Sequence, residues 1–133
     1  MVITVSTFAR PLALAAAGLL LLGSAPALRA QPTQGVSKDE IVIGTIQDLS
    51  GPVSPFGKAA RNGLQLRVDE INEQGGIHGR KIRLIVEDNA YDPKRAVLAA
   101  QKLVNQDKVF LIASHIGTPM NNAAMPVMFE KGV

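Results

Sequence analysis

Cysteine is absent from this 133-residue chain. That absence excludes disulfides, thiolate metal sites, a cysteine nucleophile and a lipidated N-terminal cysteine, while permitting an oxidising compartment. Charge of one sign is also scarce. The formal net charge of +3 includes Arg10 and Arg29, and residues 31–133 carry twelve basic against eleven acidic side chains. Such a balance gives no electrostatic footprint for nucleic acid. There is no apolar run of the roughly 20 residues that a membrane-spanning helix needs. Catalytic signatures are missing too. No G-x-S-x-G surrounds a serine, and Gly44-Thr45-Ile46-Gln47 stands where a dinucleotide-binding chain would carry G-x-G-x-x-G. Gly75-Gly76-x-x-Gly79 lacks the lysine-serine ending of a phosphate loop and reads as a helix stop.

Among what is present, the first thirty residues stand apart. Met1 to Arg10 carries one positive charge and no acid, and the apolar run Leu12–Leu22 follows. Gly23-Ser-Ala-Pro-Ala27 then supplies small residues ending in an A-x-A pattern. Charge, apolar core and cleavage site in that order predict an exported chain whose signal peptide, residues 1–30, is removed after Ala27 or Ala30. Residues 31–40, with Pro32, Gly35 and Ser37, read as a flexible lead-in.

The remainder alternates strand and helix signals. Ile41-Val42-Ile43 is a β-branched run of the kind buried on both faces of a sheet. From Phe56 to Glu73, Ala60, Leu64, Val68 and Ile71 fall on one helical face, and Gly75-Gly76 ends the segment. Lys81 to Glu87 is a second strand. Asp92-Pro93 starts a second helix, with the carboxylate as N-cap and proline at N1, and Val97, Ala100 and Val104 form its apolar face. Val109 to Ala113 is a third strand, and Thr118-Pro119 caps a third helix to Lys131, kinked or shortened at Pro126. The order β-α-β-α-β-α gives an α/β fold, a three-layer parallel sheet with helices on both faces. Ligands of such sheets sit outside the carboxyl ends of the strands. Ile46–Phe56, Asp88–Asp92 and Ser114–Thr118 are the segments placed there.

Several of these stretches resemble the branched-chain amino acid (Leu/Ile/Val-type) solute-binding proteins of ABC importers. They are Leu49-Ser50-Gly51-Pro52 with Phe56-Gly57, Asn72 with Gly75-Gly76-Ile77-His78-Gly79, Glu87-Asp88-Asn89 with Asp92-Pro93, and Gly117-Thr118-Pro119. The resemblance runs from about Ile41 to Val133. It implies that residues 41–133 form the N-terminal part of lobe I of a type I periplasmic binding protein. The family continues into a hinge and a second lobe, absent here, so the segment alone is expected to bind ligand weakly and to expose an apolar sheet edge. The implied function is periplasmic capture of a branched-chain or related amino acid, a small carboxylate or an amide for an inner-membrane permease. No catalysis, cofactor, metal or nucleic acid is implied. A ligand-sensing domain of the same fold, controlling a signalling partner, is the alternative.

Four ligand-binding residues carry over from the resemblance. Thr118 falls where the family places a hydroxyl on the ligand's carboxylate, and Gly117 just before it. Phe56 falls where an aromatic ring lines the apolar part, and Ser50 lies in the first loop. Plainer roles compete: Thr118 as a helix cap, and Phe56 as a core residue. Glu87, Asp88 and Asp92 lack further ligands for a metal or an acid–base site. His78 and His115 read as structural or exposed.

Overall fold

The computed structural model describes residues 32–133. The expected signal peptide lies outside them. Strand β1 spans Glu40–Gln47, helix α1 Ser54–Glu73, strand β2 Lys81–Asp88, helix α2 Pro93–Gln101, strand β3 Leu111–Ile112 and helix α3 Thr118–Glu130. A π-helical turn, Lys102–Gln106, extends α2. The strands form one parallel sheet in the order β2-β1-β3. Glu40 pairs with Lys81 and Gln47 with Asp88, so β1 and β2 finish level with one another.

Alternation along β1 divides its side chains between two layers. Val42 and Ile46 join Ala96, Ala99 and Ala100 of α2 and Met120, Ala124 and Met128 of α3 in the main core. The three alanines let α3 approach α2 closely, and each fully buried large side chain, Ile46 or Leu103 for example, contributes on the order of 1.5–3 kcal/mol. Helix α1 packs against β1 and β2. It turns Val68 inward, with Ala60, Leu64 and Ile71 half-buried beside it, as its periodicity requires. At its end the Asn72 amide donates to the Ile82 carbonyl at 2.8 Å and accepts from the Ile82 N–H at 2.7 Å. This satisfies both backbone groups on the free edge of β2.

Several boundaries depart from expectation. Residues 32–39 are fastened: the Gln34 amide donates to the carbonyls of Val104 and Val109, and the Val42 N–H donates to the Gly35 carbonyl. β3 pairs only at Leu111 and Ile112, because the Val109 N–H is drawn back to Leu103 and Lys108 adopts φ 54°. Helix α3 passes through Pro126 and reaches Glu130. The carbonyl that would have accepted a bond there belongs to Asn122, an exposed residue.

Candidate functional site at the carboxyl ends of the strands

The three strands deliver three loops to one edge of the sheet, and buried polar side chains shape each of them. In the first, Asp48 is fully buried and its carboxylate accepts the N–H groups of Gly51 and of Val53, the latter at 2.8 Å. This turn presents Ser50 and Pro52 to solvent and leads into α1. Phe56, in the first turn of α1, is 71% exposed. The core role for Phe56 is thereby overturned, because the first turn of α1 leaves the ring in solvent.

The second loop is built around Asp88 and Asn89. Asp88 Oδ1 accepts the Leu49 and Ala90 N–H groups, both at 2.9 Å, and Oδ2 accepts the Ser50 hydroxyl at 2.5 Å. Desolvation alone would raise the Asp88 pKa. The Ser50 hydroxyl, the Leu49 and Ala90 amides and Arg95 outweigh it and hold the carboxyl below its ordinary value. Asn89 is fully buried, and its Oδ1 accepts the Tyr91 N–H at 2.9 Å. Together these bonds hold Ala90 at φ 46° and Tyr91 at φ 57°, a left-handed pair that non-glycine residues seldom adopt. Asp92 caps α2 as expected, accepting the Arg95 N–H at 2.8 Å.

In the third loop, Ser114 also has a positive φ, 57°. Its carbonyl turns toward β1, where it accepts from the Thr45 hydroxyl at 2.9 Å and from the Gln47 amide. The Asn121 amide reaches back to the carbonyls of His115 and Gly117 at 2.8 and 2.9 Å. The His115 ring lies 3.4 Å from the Asn89 amide nitrogen. Because Asn89 Oδ1 is committed to Tyr91, the amide donates and Nε2 of His115 accepts, which assigns the ring proton to Nδ1. Nδ1 is buried without a partner, and burial pushes the His115 pKa down.

Helix α3 does not use Thr118 as its cap. Gly117, at φ 97°, is the N-cap, and Thr118 is the first helical residue, exposed and making no capping bond. The positive φ explains the difference, because glycine alone takes that conformation freely. With proline at 119, Thr118 and Met120 supply the first-turn N–H groups that have no intrahelical acceptor. The Thr118 hydroxyl and these N–H groups sit at the positive end of a 13-residue helix, an arrangement suited to a carboxylate without any basic side chain.

The loops also touch through glycines. A Cβ on Gly51 would meet the Ala90 carbonyl oxygen at 2.5 Å, and one on Gly117 would meet the Tyr91 ring at 3.0 Å and the Met120 methyl at 2.2 Å. Thus Gly51, Ala90, Tyr91 and Gly117 form a continuous rim. A separate cleft of about 200 Å³ beside α2 is lined by Glu87, Asp88, Arg95 and Lys102, among others. Its charges are paired, Lys102 with Glu87 at 2.6 Å and with Asp107 at 2.8 Å, and Arg95 with Asp88 at 3.4 Å. No group of three or more metal-ligating side chains occurs among the described residues.

A family model described as periplasmic binding protein matches residues 40–133. This chain belongs to the periplasmic binding protein family. Within the family it is 41% identical, over 97 residues, to the Leu/Ile/Val-binding protein BraC3 of Rhizobium johnstonii, covering 71% of this chain and 25% of that protein. Among solved structures it resembles the branched-chain amino acid transporter substrate-binding protein LivJ of Streptococcus pneumoniae in complex with isoleucine. The TM-score is 0.69 at 34% identity, over 71% of this chain and 27% of that one. The fatty acid ABC transporter substrate-binding protein of Thermomonospora curvata gives a TM-score of 0.71 at 34% identity, over 76% and 25%. The chain therefore spans about a quarter of the length of the relatives it matches.

Set against the sequence reading, Thr118 and Gly117 lie together at the start of α3, and Phe56 and Ser50 lie on the first loop and the helix it feeds. Ser50 differs from the others because Asp88 already engages its hydroxyl hydrogen. Asp48, Asp88, Asn89, Gln47 and Tyr91 carry the local geometry; they fall within the segments expected at the carboxyl ends of the strands but were not singled out as ligand contacts. The available signal was a polar side chain, such as Gln47 or Asp48, continuing directly from an apolar strand.

Proposed function

We propose that this chain is first-lobe sequence of an exported, periplasmic substrate-binding component of an ABC importer, and that it performs no chemistry on its ligand. The ligand is a branched-chain or related amino acid, or another small carboxylate, and the partner is an inner-membrane permease. The observation that carries this reading is the Thr118 hydroxyl, uncommitted and exposed at the start of α3 beside Gly117. In that position it donates to a carboxylate while the helix N-terminus supplies field and N–H groups. The relatives support the same chemistry. Leucine, isoleucine, valine and fatty acids, the ligands in their names, share a carboxylate and differ in the apolar part. Phe56 lines that apolar part, Ser50 contributes from the first loop, and recognition is coupled to transport by closure of two lobes.

The test is calorimetry on the full-length protein recovered from a periplasmic extract, titrated with L-leucine, L-isoleucine and their amides. Stoichiometric binding of the acids and weaker binding of the amides is expected. Equal affinity for acids and amides would remove the carboxylate from the reading, and absence of binding to all of them would overturn it.

A further inference from the structure

Tyr91 is the one tyrosine of the chain. Its backbone is held at φ 57°, a conformation disfavoured for a bulky side chain. The cost is met by two anchors, one of them fully buried: Asn89 Oδ1 accepts the Tyr91 N–H, and the half-buried Asp88 accepts the N–H of Ala90 before it through Oδ1. The result is that the ring lies across Gly117, where a Cβ would stand 3.0 Å from Cε2 and 3.6 Å from Cδ2. The ring remains 37% exposed. An aromatic wall thus stands beside the first turn of α3, adjoining the residue whose hydroxyl we assign to a carboxylate. Strained residues of this kind persist where surrounding structure fixes them, and they cluster at ligand clamps.

We infer that Tyr91 is a specificity-determining ligand contact: its ring packs against the side group of a bound carboxylate and favours a planar, unsaturated group over a branched aliphatic one. A flat ring offers its largest contact to another flat group, and aromatic pairs gain from offset or edge-on geometry beyond the area they bury. This assignment rests on the carboxylate site at Thr118.

The experiment compares L-phenylalanine, benzoate and L-leucine as probes of the full-length protein, with Tyr91→Ala and Tyr91→Phe variants, and checks each variant by thermal melting. In Tyr91→Ala the preference for the aromatic probes relative to leucine should fall about three- to tenfold. Tyr91→Phe, which keeps the ring over Gly117, should restore it. An unchanged preference in Tyr91→Ala overturns the inference and leaves the carboxylate site intact. An equal loss for all three probes likewise overturns it, reducing Tyr91 to a support for Gly117. If the unsubstituted protein binds none of the probes, the proposed function fails together with it.

Discussion

Asp88 accepts the Ser50 hydroxyl at 2.5 Å, tying the loop after β2 to the loop after β1. The same carboxylate takes the Leu49 and Ala90 amides. Asp88→Asn, which removes the charge and one acceptor, should lower stability by about 1–2 kcal/mol at pH 7. The Asp88 pKa is lowered from 3.8, so the unfolded chain binds the proton first as pH falls. The stabilisation is full above about pH 4 and is lost as the pH drops through the lower folded value. Thermal melts from pH 7 to pH 3 should show the gap between wild type and Asp88→Asn closing at the acid end.

Two glycines of α1 should respond in opposite senses. A Cβ at Gly63 meets nothing within 4 Å, so Gly63→Ala should stabilise by about 0.8–1 kcal/mol through helix propensity. At Gly57 a Cβ would stand 1.9 Å from the Asp48 carbonyl oxygen. Gly57→Ala should therefore destabilise by about 1–3 kcal/mol. Urea denaturation of the two variants measures both signs.

Thr118→Val keeps the shape and removes the hydroxyl. Because Thr118 makes no capping bond, stability should change by less than about 0.5 kcal/mol. Affinity for a carboxylate ligand should fall roughly ten- to a hundredfold, the range for a hydrogen bond to a charged group. Calorimetry and melting on the same samples separate the two effects.

His115 carries a second pH dependence. Burial lowers its pKa from 6.5, and protonation would set a second donor at Nε2 against the Asn89 amide that already donates there. The unfolded chain protonates first, so the contribution is full above about pH 6.5 and is lost as pH falls below it. His115→Gln should flatten the stability profile between pH 7 and pH 5.5.

The helices were legible because their signals are local. The face of Ala60, Leu64, Val68 and Ile71, the glycines after Glu73 and the Asp92-Pro93 start all specify structure within one or two turns. The extension of β1 to Gln47 was not. Thr45 and Gln47 are polar yet fully buried, and their partner is the Ser114 carbonyl, 67 or more residues away. The candidate site was read by position rather than by chemistry. Thr118 and Gly117 fell at the right end of the sheet, but the cap passed to Gly117 because of its positive φ. Tyr91 went unnoticed because its placement depends on Asn89, whose burial no periodicity reveals.

The three loops are held by Asp48, Asp88, Asn89 and Asn121, all of them bonded to backbone groups before any ligand arrives. Their ordering entropy is therefore settled when the chain folds, not when it encounters solute. A surface fixed in advance gives up little freedom on contact, so the initial docking on this half should be rapid, with no slow loop rearrangement preceding it.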